Sequence, residues 1–241
     1  MPDFLRRLLY RQVKEHILHQ LSLGKWKAGD ILPSEREFAL QLKVSQGTVR
    51  KAIEELVDEN VLYREQGRGT FVQSFLSMGY KNQFHRFFHD DLNQIVPFTM
   101  RLVGFEYVPA KKADRIAHLL RLTSEDRLIH ALRVYSWQDY DVGISELWLD
   151  AKRFSLMNEG NLANHKGSLY QYYERELGVT VISVHDEIKA GVFKPNHLQF
   201  GQFTLGAPYL KLMRTSYTFG MVPVEYRVSY CSTEHFHMVI R

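Results

Sequence analysis

The stretch whose reading decides the fold is LPSEREFALQLKVSQGTVRKAIEELVDENVLYREQGRGTFV, residues 32–72. Pro33 leads into Ser34-x-x-Glu37, the spacing at which a serine hydroxyl and a glutamate carboxylate satisfy each other's backbone N–H as a capping box. That predicts a short helix holding Phe38, Ala39 and Leu42 and ending near Val44. Ser45 caps the next helix, whose apolar Val49, Ala52, Ile53, Leu56 and Val57 recur at the helical period along one side. Asn60 suits a left-handed helix cap. Two β-rich runs then flank Gly67-Arg68-Gly69, which reads as a tight hairpin.

Upstream, Tyr10, Val13, Ile17 and Leu21 recur at three and four residues, and Gly24 supplies a stop. Helix, helix, turn, helix and hairpin in under 75 residues is the order of a winged helix-turn-helix, assigned to residues 1–74. SFLSMGYKNQ is polar and contains glycine, so residues 75–83 read as a linker. From residue 84 to 241 the rhythm changes. Strand-like runs fall at 101–108, 127–137, 142–150, 179–193, 208–219, 223–232 and 235–240, interrupted by helical patterns near 111–121, 168–177 and 195–203. Long strands with few crossovers predict an α+β domain on an antiparallel sheet.

The bulk chemistry sets limits. The chain has 241 residues, 45% hydrophobic and 24% charged, with a net charge of +4. This is ordinary for a globular protein, and any nucleic-acid reading must rest on where the charges sit. No apolar run approaches the ~18 residues of a membrane span, and MPDFLRRLLYRQ is not a signal peptide. The single Cys231 fits a reducing cytoplasm and leaves no disulfide framework. His16 and His19, or His235 and His237, lack companion ligands at metal spacing. No glycine-rich phosphate loop of the P-loop or Rossmann type is present. The chain is therefore expected to carry neither metal nor cofactor.

A recognition helix enters the major groove by its N-terminal end. Here that end presents Ser45, Gln46, Gly47, Thr48 and Arg50. Thr48 and nearby backbone N–H groups suit a phosphate, and Arg50 suits a guanine edge or a phosphate. Arg36 stands early in the preceding helix, and Arg68 beside Gly69 is placed to enter a minor groove. Any one of these arginines alone reads as a solvated charge, but together, around one helix-turn-helix, they favour DNA. Gln46 suits adenine N6/N7 where arginine would favour guanine. Gly47 would let the duplex backbone approach closely.

Residues 32–72 resemble the winged-helix domain of GntR-family bacterial transcriptional regulators, on Pro-Ser-Glu-Arg, Val-Ser-x-x-Thr-Val-Arg and Gly-x-Gly-Thr-Phe-Val. The resemblance implies that Arg36, the start of the recognition helix, Arg50 and the wing glycines contact operator DNA. Gln46 and Gly47 depart from the usual pattern. The remainder resembles the HutC-like branch, whose UTRA sensor domain has a chorismate-lyase-like fold; GSLYQYYERELGV, DEIKAGVF, APYLKLMRTSY and VPVEYRVSY occur in the expected order.

That resemblance implies an effector pocket at Arg133, Glu146, Ser168, Tyr170 and Glu225. Arg133 would grip an anionic group bidentately. Arg133 and Glu146 also read as a buried ion pair between neighbouring strands, and Ser168 as a helix cap. Two departures bear on the ligand: Tyr135 stands where phosphosugar sensors often carry a second arginine, and Cys231 where a pocket tyrosine is expected. Strand alternation puts Glu225, Arg227, Ser229 and Cys231 on one face. NQFHRFF offers His85 and Arg86, for which an exposed loop is the favoured plain reading.

The resulting expectation is a cytoplasmic homodimeric repressor. It would bind double-stranded, two-fold operator DNA and release it on binding a small anionic metabolite, a carboxylate or a phosphosugar, with the two departures favouring the carboxylate. The rival is a lyase-type enzyme on the C-terminal fold with an accessory winged helix, distinguished by turnover.

Overall fold

The computed structural model describes residues 3–74, 86–91, 94–95 and 97–239. The linker expected at 75–83 lies outside them. Helix α1 spans Asp3–Ser22, α2 Glu35–Leu42 and α3 Gln46–Asp58. Strands β1, Leu62–Glu65, and β2, Gly69–Val72, form the wing. Tyr10, Val13, Ile17 and Leu21 of α1 meet Phe38 of α2 and Val49, Ala52, Ile53 and Leu56 of α3 in one core. The capping box at Ser34 forms as the spacing predicts, Lys43 closes α2 in the left-handed region, and Asn60 has φ 56° after α3.

Two residues from far along the chain, Ile182 and Phe219, are buried in this same core. Ser74, at the end of the wing, donates to Glu174 Oε1 at 2.5 Å. The winged helix is therefore packed on the second unit.

The second unit is a six-stranded antiparallel sheet. Its strands are β5 (Thr99–Pro109), β6 (Arg127–Trp137), β7 (Tyr140–Asp150), β8 (Ser183–Val192), β9 (Pro208–Thr218) and β10 (Val222–Ser232), in the spatial order β5-β6-β7-β10-β9-β8. Short strands β3 (Arg86–His89), β4 (Gln94–Ile95) and β11 (Phe236–Val239) make a separate three-stranded sheet. Helix α4 is Asp114–Leu119, α5 Glu159–Asn164, α6 Leu169–Leu177 and α7 Pro195–Leu198. The sequence reading missed α5, a single short turn pair without strong periodicity, and overran α7, which stops well before residue 203. Among the described residues no helix is long and apolar enough to cross a membrane.

The sheet's two faces are chemically different. One packs α6 through Ile129, Ala131, Leu147, Leu149, Tyr170 and Tyr173. The other carries Leu128, Met213, Tyr226 and Val228, with Phe193 and Phe203 beyond. Strand alternation decides which polar residues join which core.

Candidate functional site

The end expected to read DNA is built by two caps. Ser34 Oγ accepts from Glu37 N at 3.2 Å while Glu37 Oε2 accepts from Ser34 N at 2.7 Å. Those hydrogen bonds hold the Glu37 carboxyl below its usual range. Ser45 Oγ accepts from Thr48 N at 3.2 Å and lies 2.8 Å from the Thr48 hydroxyl. With Val49, Ala52, Ile53 and Leu56 fully buried, the helix has no freedom to turn. Gln46, Gly47 and Arg50 must then face solvent, as must Arg36.

Glu35 joins this surface. Its Oε2 accepts from Arg50 Nε at 3.0 Å and lies 3.5 Å from Gln46 Nε2, while Oε1 accepts from Arg64 Nη2 at 3.1 Å. One carboxylate thus holds two arginines, one from the recognition helix and one from the wing. Exposed pairs of this kind add about 0–1 kcal/mol each to stability, so their consequence is orientation. Arg68, at the wing tip, pairs with Glu65 and lies 5.5 Å over the Phe71 ring. Sequence reading missed Glu35 and Arg64 because neither spacing nor periodicity shows that α2 and the wing converge.

The second site lies on the α6 face of the sheet. Register runs Arg133↔Ser145 between β6 and β7, then Ser145↔Ser229 between β7 and β10. Arg227 lies opposite Arg214, and Glu225 opposite Ser216, across β10 and β9. These residues therefore share one face. Glu225 is fully buried and accepts from Tyr173 Oη at 2.8 Å, Arg227 Nη2 at 2.7 Å, and Tyr170 Oη and Ser216 Oγ at 3.2 Å. Burial, then the charge of Glu225, pushes both phenols up, so they remain donors. Arg214 grips Asp186 bidentately at 2.8 and 2.9 Å.

Arg133 is only 3% exposed. Among the described residues it makes no hydrogen bond or ion pair, its Nε is orphaned, and its one partner is the Tyr135 ring at 5.5 Å. Arg227 Nε is orphaned as well. Guanidinium cannot shed its charge. An uncompensated buried charge costs about 3–5 kcal/mol, more than the ~0.5–2 kcal/mol a cation–π contact returns. Among the described residues, the guanidiniums of Arg133, Arg214 and Arg227 share this face with the carboxylates of Asp186 and Glu225. The cluster suits an anion.

Other expected site residues fall elsewhere. Glu146 lies opposite Leu132 and Val228, on the face away from Arg133, where its charge adds to burial in pushing Tyr230 up to about 12. The expected Arg133–Glu146 partnership is corrected on that ground: an offset of one residue in register reverses the face. The position facing Arg133 is Ser145, whose hydroxyl is 3.0 Å from that of Ser229. Ser168 precedes α6, but its side chain makes no capping bond, which removes the cap reading. Cys231, half-buried, shares the Arg133 face opposite Gly143, and burial pushes its thiol up to about 12. His85 lies outside the described residues; Arg86 opens β3, and its side chain is likewise outside them. Among the described residues no three His, Cys, Asp or Glu side chains gather as metal ligands. Strand alternation already placed Arg227 with Glu225, whereas Ser145, Arg214 and Ser216 needed the cross-strand register and Tyr173 the packing of α6 on the sheet.

Comparison with known proteins bears on both units. The profile of the gntR family of bacterial regulatory proteins matches residues 9–72, and that of the UTRA domain matches residues 96–237. The chain is 27% identical over 209 residues to the HTH-type transcriptional repressor NagR of Bacillus subtilis (strain 168), covering 87% of this chain and 84% of that protein. It is 28% identical over 180 residues to the mannosyl-D-glycerate transport/metabolism system repressor MngR of Escherichia coli (strain K12), covering 75% and 73%. The fold is similar to that of YydK from Bacillus subtilis, with a TM-score of 0.54 at 18% identity over 97% of this chain and 98% of that one. These matches set aside the lyase alternative. The gntR-family profile covers the winged helix and the UTRA profile covers the sheet that carries it, and the named relatives are repressors: the chain belongs to the GntR family of bacterial transcriptional regulators, with a UTRA domain as its second unit, and it is not an enzyme.

Proposed function

We propose that the protein is a cytoplasmic repressor that binds a two-fold operator as a homodimer and is released by a small anionic effector. Residues 1–74 form the DNA-binding unit, 75–83 the linker and 84–241 the effector unit. On the DNA side, Arg36, Ser45, Gln46, Gly47, Thr48, Arg50, Arg68 and Gly69 make the contacts. On the effector side, Arg133 grips the anion, while Ser168, Tyr170, Glu225 and the Cys231 end of the same face line the ligand. Glu146 is left out by its face.

The observation that carries this reading is Arg133, buried and without a counter-ion among the described residues, beside Arg227. Among the described residues, the balance of three guanidiniums to two carboxylates leaves one positive charge. That matches a carboxylate better than a phosphate, which carries about −1.5 to −2 at neutral pH. MngR is named for mannosyl-D-glycerate, a sugar bearing a carboxylate, and a sugar acid is the class proposed here. Tyr170, Ser216 and Glu225 supply the hydrogen-bonding groups that sugar hydroxyls require.

A thermal-shift panel of sugar acids against phosphosugars tests the class. A ligand binding only the folded state at ~100 times its Kd adds ~2.7 kcal/mol. The Arg133→Ala variant is expected to keep operator affinity, measured by fluorescence anisotropy, while losing both the thermal shift and the ligand-driven release. Retention of the ligand response overturns the assignment, as does a variant that loses operator binding together with its fold.

A further inference from the structure

The two strands of the wing leave the core along one face. Leu62 of β1 and its partner Val72 of β2 are buried with the helices of the first unit. Two residues further out, the same face presents Arg64 opposite Thr70. Arg64 is exposed, and its reach to Glu35 fixes where it stands: Glu35 also holds Arg50, so Arg64 lies between the wing and the start of α3.

The three charges are layered. The Glu35 side chain is only 19% exposed, whereas those of Arg50 and Arg64 are 55% and 42% exposed. The carboxylate that would repel DNA therefore lies beneath, and the two guanidiniums lie outside it with one positive charge in excess. A guanidinium carries five N–H donors. Arg64 commits one of them, from Nη2, and makes no other hydrogen bond or ion pair among the described residues. Exposed ion pairs add little to stability, so stability does not account for one carboxylate gathering arginines from a helix and a wing.

On a duplex, a sugar–phosphate strand separates the major groove from the minor groove. A protein with α3 in the first and the Arg68 tip of the wing in the second straddles that strand, and Arg64 occupies the position between them. We infer that Arg64 binds a phosphate of this strand, with Glu35 holding the guanidinium in place while taking one of its donors. Arginine suits phosphate because several parallel N–H groups can meet its oxygens. The inference rests on the DNA-binding reading proposed above and adds a contact outside the recognition helix and the wing tip. Phosphate contacts set register and affinity and carry no direct sequence information. Arg64 therefore contributes affinity on any duplex.

Fluorescence anisotropy on the full chain, over a salt series, is the test. Two probes are used: a duplex selected by the unsubstituted chain from a randomised pool, and a scrambled duplex of the same length. Arg64→Gln is expected to weaken binding to both by a similar factor of about three to ten. It should also lower the slope of log K against log salt by about 0.9 for each half-site bound. Arg64→Lys, which keeps the charge, should keep the slope. In the Glu35→Gln background Arg64→Gln should lower the slope by the same amount, because the anion that Arg64 neutralises is the phosphate. A slope unchanged by Arg64→Gln overturns the contact. So does a loss that disappears in the Glu35→Gln background, since Arg64 then only neutralises Glu35. A loss confined to the selected duplex makes Arg64 a base contact and overturns the phosphate. The variants should keep the melting temperature of the chain they derive from, and a variant that loses its fold makes Arg64 structural and overturns the assignment. A chain that enriches nothing from the pool overturns the DNA-binding reading itself.

Discussion

Gly69 sits at φ +127°, where a Cβ would approach Ile31 Cδ1 at 3.2 Å, so the wing itself requires glycine there. Gly47 differs. It is helical, and a Cβ would meet only Ser45 Oγ at 3.9 Å, so nothing inside the protein requires it. Its proposed reason is the duplex, whose backbone could approach α3 closely at that point. Glu35 is the residue at this end with the largest expected effect on specificity. A carboxylate beside a DNA surface repels phosphate, yet this one fixes Arg50 and Arg64. Glu35→Gln should therefore strengthen binding to random DNA, by removing a negative charge, and weaken preference for the operator. Base contacts of this type are worth ~1–3 kcal/mol, so the operator-to-random affinity ratio should fall about tenfold in competition anisotropy. An unchanged ratio would show that Glu35 only neutralises charge.

At the scale of elements, the capping box of α2 was visible in sequence, and its geometry allows a pH argument. Glu37 has a depressed pKa in the fold because it accepts hydrogen bonds from the Ser34 end of the helix. Its contribution is therefore present above the unfolded carboxylate's pKa and is lost as pH falls through the folded value. Thermal stability should decline below about pH 4.5, and Ser34→Ala should flatten that part of the profile. The same substitution removes the serine's own bond to Glu37 N at a cost of about 0.5–2 kcal/mol at neutral pH. A pH profile with unchanged slope would mean the acid sensitivity comes from other carboxylates. In β6, β7 and β10 the opposite lesson holds. Each strand was legible as a strand, but the face of Glu146 was not, because one residue of register separates pocket from the far side.

For the whole molecule, the β9–β10 hairpin connects the two units. Its strands carry Ser216 and Glu225, both bonded to Tyr170, and its tip carries Phe219 into the winged-helix core. α6 makes a parallel link, with Tyr170 and Tyr173 on Glu225 and Glu174 on Ser74. A ligand that shifts Glu225 or α6 therefore acts on residues that anchor the DNA-binding unit. Phe219→Ala is expected to destabilise the chain by up to about 3–5 kcal/mol and to uncouple the units. An effector found by thermal shift should still bind the variant, but operator Kd should no longer change on adding it. Undiminished ligand-driven release would place the coupling elsewhere. The three helices of the first unit, the caps at Ser34 and Ser45, the wing and most long strands were determined by the sequence alone, because spacing within about ten residues decides local hydrogen bonding and which side of an element is apolar. The convergence of Glu35 with Arg50 and Arg64, the row from Arg133 to Asp186, and the seating of Ile182 and Phe219 in the first unit's core were decided only by tertiary structure. They depend on register and packing between segments up to two hundred residues apart, which no local pattern encodes.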